Sequence, residues 1–142
     1  MDGKISFEII SAEDRDNSSL EIIMVAQNKL VRTVFTFYID IDSFTKFGED
    51  LMIFPQSITD SFIFKIGKDS PDWAFYGLIQ GSCTSTGKIT LKIFTDTHGE
   101  EAERAKALMF IESYPESIKK LGALIKSMKK IEGSRIEWDS KI

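Results

Sequence analysis

Between Phe44 and Pro55 the chain changes its hydrophobic period, and that change restricts the fold more than any other feature. Phe44, Phe47, Leu51 and Phe54 recur at spacings of three and four, which lines them along one face of a helix. On either side, apolar residues recur at every second position, the period of half-buried strands. Asp42 or Ser43 is expected to cap the helix by accepting a bond from a free backbone N–H. Pro55 disfavours helical geometry at Phe54 and ends it. The segment is therefore a bracket between two blocks of β-strand.

Upstream, Ile5, Phe7 and Ile9 alternate with Lys4, Ser6 and Glu8. A polar turn spans Glu13 to Ser19, and Leu20, Ile22, Met24 and Ala26 then mark a second strand. Asn28-Lys29 suits a hairpin, followed by Val31, Thr33, Phe35, Phe37 and Ile39 on a third. Downstream, Phe62, Phe64 and Ile66 mark a fourth strand, Trp73, Phe75, Gly77 and Ile79 a fifth, and Ile89, Leu91 and Ile93 a sixth. The segments 67–72, 81–87 and 98–101 read as turns. A seventh strand is expected from Arg104 to Glu112.

The last helix opens at Ser113-Tyr114-Pro115-Glu116, where Ser113 and Glu116 have capping-box spacing and the proline costs no helical bond. Its apolar stripe runs through Ile118, Leu121, Leu124, Ile125, Met128 and Ile131, and Gly133 suits its end. Ile136-Glu137-Trp138 reads as a short added strand or a docked segment.

The order βββ-α-ββββ-α with short connections predicts antiparallel pairing. The expected fold is α+β: a single antiparallel sheet of about seven strands with two helices packed on one face. The 142 residues suit one domain, 1–142, that buries enough surface to need no staple. No linker, internal repeat or low-complexity segment marks a boundary.

Composition narrows the function classes. A net charge of -4 argues against a general nucleic-acid binder. The single cysteine, Cys83, excludes an internal disulfide and suits a reducing compartment. Met1-Asp2-Gly3-Lys4 lacks the features of a signal peptide, and no apolar run approaches the ~20 residues of a membrane span. The expectation is a cytoplasmic protein that engages neither nucleic acid nor membrane.

Motifs for chemistry are weak throughout. Gly81 to Lys88 resembles a phosphate loop only loosely: five residues separate its glycines, Ile89 follows the lysine, and a strand follows where a helix N-terminus is needed. It reads as a hairpin loop. Asp96, His98, Glu100 and Glu101 form one local cluster, whereas zinc sites gather ligands from separated pairs. Asp40 and Asp42 read as helix-capping acids, and Glu49-Asp50 as solvated surface. Cys83 and His98 lie at opposite ends of their hairpin element, too far apart for a nucleophile and its base. No catalytic, cofactor-binding or metal-binding residue is expected.

Binding surfaces are better supported. The last helix gathers Lys119, Lys120, Lys126, Lys129 and Lys130 against Glu116. Such a cluster is either a solvated face near a helix C-terminus or, with Lys119, Lys126 and Lys130 as its contacts, a site for an acidic partner. If the helices cover Phe35, Phe37, Phe62, Phe64, Leu91 and Ile93, the opposite face shows Val34, Thr36, Tyr38, Ile63, Tyr76, Leu78, Phe94 and Phe110. That face is too apolar to be fully wet. Either it is an association surface, with Tyr38, Tyr76, Leu78 and Phe94 as contacts, or the tail with Trp138 covers it.

The segment Phe47-Gly48-Glu49-Asp50-Leu51 with Phe54-Pro55 resembles an F-G-x-x-L-x-x-F-P pattern of small uncharacterised bacterial proteins. Their late L-G-x-x-L helix is represented by Leu121-Gly122-Ala123-Leu124. The resemblance brings no activity. It implies a bacterial immunity or accessory protein that acts by binding another protein or itself. The alternative is a small-ligand or enzymatic domain with its site between helix 44–54 and the sheet, where Tyr38, Asp40 and Asp42 would line a pocket.

Overall fold

Eight strands and two helices make up the computed structural model, which describes residues 3–13, 19–70 and 72–141. Met1-Asp2, the expected turn residues Asp14 to Ser18, and Pro71 of the expected turn 67–72 lie outside the described residues. The first half contains β1 (Lys4–Ala12), β2 (Ser19–Gln27), β3 (Arg32–Asp40), α1 (Ile41–Ile53) and β4 (Ser61–Gly67). The second contains β5 (Tyr76–Cys83), β6 (Ile89–Asp96), β7 (Lys106–Ser113), α2 (Pro115–Ser127) and β8 (Arg135–Asp139).

The α+β class and the antiparallel pairing are as expected, but the single sheet is not. The strands form two four-stranded sheets, β3-β2-β1-β8 and β4-β5-β6-β7. Width explains the difference. Two helices about 10 Å wide cover roughly 20 Å of sheet, whereas seven strands at about 4.8 Å spacing span roughly 30 Å. Splitting the strands lets two narrower sheets and both helices share one core. The tail enters this plan as β8: Trp138 and Ile136 face inward opposite Ile5 and Phe7, so the tail does not cover an outer face.

The two halves repeat one plan, against the expectation of no internal repeat. Each is a three-stranded meander, a 13-residue helix and a returning strand. The returning strand joins the first strand of the other half: β4 pairs with β5, and β8 with β1. Registers coincide at the sheet centres as well, up to the shift between Ile9 and Ser11 in β1. Phe7 lies between Met24 and Ile136, and Ile79 lies between Ile93 and Phe64. The repeat is hidden in the sequence because equivalent positions seldom share identity, as with Ile9 and Gly81, and outward ones differ even in polarity, as with Ser6 and Leu78.

The helices meet at equivalent positions. Gly48 and Gly122 are each the eighth residue of their helix. A Cβ on Gly122 would stand 2.5 Å from the Gly48 carbonyl oxygen and 2.8 Å from the Met52 nitrogen. One on Gly48 would stand 2.9 Å from the Gly122 carbonyl oxygen. The helices thus touch backbone to backbone, rather than lying separately on a sheet as expected. Lys126 reaches across to Glu49 at 3.5 Å.

Helix ends also depart from expectation. Of the expected capping residues Asp40, Asp42 and Ser43, Asp40 caps α1; its Oδ2 accepts the Ser43 N–H at 2.9 Å because β3 runs directly into the helix. Ser113 does not cap α2, since its hydroxyl donates to the Ser140 carbonyl at 2.8 Å. α2 ends at Ser127, so Ile131 is exposed rather than part of the buried stripe. Trp73 lies in the turn before β5, and β5 extends through Gly81 to Cys83, where a loop was expected.

The core is aromatic. Phe44 meets Phe7 edge-on at 5.4 Å, Phe47 stacks on Phe64 at 3.9 Å, and Phe54 meets Phe62 edge-on at 4.9 Å. Buried residues of both sheets and both helices form one cluster. Among the described residues, no helix is long and apolar enough to cross a membrane.

In an unconstrained helix, Gly→Ala is stabilising by about 1 kcal/mol. The close approach reverses the sign for Gly122→Ala. We expect a net loss of about 1–3 kcal/mol from the separated helices, measured by urea denaturation.

Candidate binding face

Alternation along β4–β7 sends Phe64, Ile79, Ile93 and Met109 inward and their neighbours outward. The pairing aligns those neighbours in cross-strand rows. One row is Lys65, Leu78, Phe94 and Leu108; the next is Ile63, Gln80, Lys92 and Phe110. Tyr76 adjoins Phe94, with ring centroids 5.9 Å apart. Leu108, Phe110 and Ile63 are 50%, 51% and 55% exposed, while Leu78, Phe94 and Tyr76 are half-buried. Cross-strand packing of this kind makes a continuous apolar surface rather than scattered side chains.

Charge on this face is one-sided. Lys65 and Lys92 stand within the two rows, and Lys106 stands at the end of β7. Glu112, the carboxylate at the opposite end, is bridged to Lys88 at 3.2 Å.

The equivalent outer face of β3-β2-β1-β8 differs. Val25, Val34 and Ile23 are interleaved there with Ser6, Glu8, Glu137 and Arg135. Arg135 contacts both Glu8 and Glu137, compensating charge within the face. A groove of about 260 Å³ runs along it between Lys4, Ser6, Gln27, Arg32 and Glu137.

Of the residues expected to meet on one apolar face, Tyr76, Leu78 and Phe94 do so. Tyr38 does not, because it belongs to the other sheet, where it lies opposite Glu21. A hydrogen bond to the Glu21 carboxylate and its charge raise the Tyr38 hydroxyl above its ordinary pKa. The lysines of α2 lie apart from the face. Lys126 pairs with Glu49. Lys130, just past the end of α2, turns back on the helix and donates to the carbonyls of Ile125 at 2.7 Å and Met128 at 2.8 Å. Partial burial lowers its ammonium below the ordinary lysine value. Lys119 is half-buried on α2. Sequence reading did not single out Leu108, Lys65 and Lys92. Their signal was present in the alternation with Met109, Phe64 and Ile66, and Leu91 and Ile93.

At one end of the face, Asp96 is buried under the β6–β7 loop. Its carboxylate accepts from Arg104 Nε at 3.2 Å and Nη2 at 2.9 Å, and from the His98 backbone N–H at 3.0 Å. His98 adopts a positive φ of 54°. Its Nε2 lies 3.6 Å from Asp96 and 3.7 Å from Asp69, and its Nδ1 lies 2.8 Å from the Trp73 carbonyl. A carbonyl only accepts, so Nδ1 carries a proton. The side-chain ligand atoms of Asp69, Asp96 and His98 lie within 4.8 Å of one another, a spacing open to a cation. Arg104 already balances the charge of Asp96, however, and the cluster acts as a clasp that joins the β4–β5 and β6–β7 loops. Cys83 lies opposite Ile89 and Tyr76 opposite Asp96, so Cys83 and His98 are at opposite ends of β5, as expected.

A second concavity lies where β3 and α1 meet β4. This groove of about 360 Å³ is lined by Ser19, Tyr38, Asp40, Ser43, Lys65 and Gly67. The equivalent seam in the other half holds a smaller concavity of about 290 Å³, lined by Glu112, Tyr114, Ser140 and Lys141, and is tied by hydrogen bonds. There Ser113 and Ser117 hydroxyls donate to the carbonyls of Ser140 and Asp139, and Trp138 Nε1 donates to the Ser117 carbonyl.

Comparison with family profiles, with curated proteins and with solved structures finds no match to this chain.

The Arg104 hydrogen bonds hold the Asp96 carboxyl below the ordinary carboxylate range, against burial, which raises it. A depressed folded value contributes stability that is present above the unfolded pKa and lost as pH falls through the folded one. Asp96→Asn should therefore cost about 1–3 kcal/mol at pH 7. The gap from wild type, followed by urea denaturation at decreasing pH, should narrow only below about pH 4.

Proposed function

We propose that the chain is a non-catalytic protein-binding domain whose contact surface is the outer face of the β4–β7 sheet. The observation that carries this reading is the row Leu78, Phe94 and Leu108, which is continuous across three strands and open to solvent at its edge. The duplicated frame provides an internal comparison. The equivalent face of the other sheet has the same backbone plan but mixed polarity and compensated charge, so the apolar surface is a property of side chains and not of the frame. An accessory or immunity-like role in the bacterial cytoplasm, exerted by binding, accords with this surface.

A second reading rests on the open seam between β3 and β4. Its volume and its hydroxyl, carboxylate and ammonium groups suit a small polar ligand. Saturable amide shifts confined to Ser19, Tyr38 and Gly67 on titration with a small-molecule panel would favour it.

The binding-face reading predicts where a partner contacts the chain. A photoreactive benzoylphenylalanine at position 108 should form protein adducts in the native host, and the same group at position 34 should not. Adducts with a second copy or with another protein both support the reading; equal labelling from the two positions overturns it. Light scattering of the purified chain separates self-association from hetero-association.

A further inference from the structure

We propose that the partner of the β4–β7 face is an acidic, apolar segment of another protein rather than a second copy of this chain. The proposal rests on that face being the contact surface and concerns the chemistry of what it binds.

The carrying observation is the placement of lysines inside the apolar surface. Lys65 is in register with Leu78, Phe94 and Leu108, and Lys92 lies between Gln80 and Phe110. Lys106 stands 3.9 Å from Asp96, whose charge is already met by Arg104 at 2.9 Å. The outward carboxylate on this face, Glu112, is engaged by Lys88. Glu100, Glu101 and Glu103 belong to the loop beyond the sheet end, past Asp96. The face is therefore cationic, although the whole chain carries a net charge of -4.

This arrangement discriminates between occupants. Closed two-fold association sets the same patch against itself. It would bring Lys65 and Lys92 of both copies into one dehydrated contact with no free carboxylate among the described residues of the face to meet them, and like charges brought together in that way are strongly unfavourable. A segment with leucine- or phenylalanine-like side chains and interspersed carboxylates covers the apolar rows and pairs the lysines. The other sheet lacks this pattern, since Arg135 there is already matched by Glu8 and Glu137.

The test uses two synthetic peptides with the same alternating leucine pattern, one with glutamate and one with lysine at the polar positions. Each is titrated into the full chain and followed by backbone amide shifts. We expect the acidic peptide to shift the amides of β5–β7 and to bind at least about tenfold more tightly than the basic one at low salt. Added salt should shrink the difference. The double variant Lys65→Glu/Lys92→Glu should reverse the preference while leaving the melting temperature unchanged, because both ammonium groups lie on the outer face.

Equal binding of the two peptides through this face, unaffected by the double variant, overturns the acidic partner and leaves the binding face standing. An acidic peptide that leaves these amides unshifted overturns the proposal. So does a dimer in light scattering that Leu108→Lys dissociates, because it assigns the face to a second copy. Failure of the face itself is seen separately, as loss of adducts at position 108.

Discussion

The close approach of α1 and α2 at Gly48 and Gly122 is the contact on which the rest of the architecture depends. Each half delivers its fourth strand through its helix to the sheet of the other half. Sheet order therefore holds only while the helices are held at one distance and one crossing point. A side chain at either glycine would collide with backbone, which cannot move aside as a flexible side chain can. Phe47 and Leu121, beside the glycines, carry the contact into the core, where Phe47 stacks on Phe64 of β4. The exchange also binds the halves together: β4 lacks a sheet without β5, and β8 lacks one without β1.

The duplicated frame separates what serves folding from what serves binding. Inward positions near the sheet centres are apolar in both halves, because both line one core. Outward positions are free of that demand and have diverged into a charge-compensated face and an apolar, cationic one. The seams diverged too. Hydrogen bonds among Ser113, Ser117, Trp138 and the 139–140 carbonyls tie one, which keeps a concavity of about 290 Å³, while the other is a groove of about 360 Å³ with a different lining. Two copies of one plan thus present two different surfaces with the same register at the centre of each sheet.

Much of the local structure was legible in the sequence. Period-two alternation divides Phe35, Phe37, Leu91 and Ile93, which are buried, from Val34, Ile63 and Phe110, which are exposed. Periodicity and Pro55 locate the Phe44–Pro55 helix, and of its candidate caps the structure selects Asp40 because the strand ends without a loop. The F-G and L-G segments are legible as packing motifs, but not as the two sides of one contact. For the binding face, alternation identifies Tyr76, Leu78 and Phe94. It wrongly adds Tyr38, since alternation says which side of a strand a residue occupies and not which sheet the strand joins.

Most elements, their antiparallel tendency and the polarity of each strand face follow from spacing along the chain and can be read from it directly. The two sheets, the exchanged fourth strands and the placement of Lys65 and Lys92 among apolar side chains emerge only in the folded chain. Those depend on pairing between residues far apart in sequence, and pairing is selected by how two sheets and two helices together cover one core.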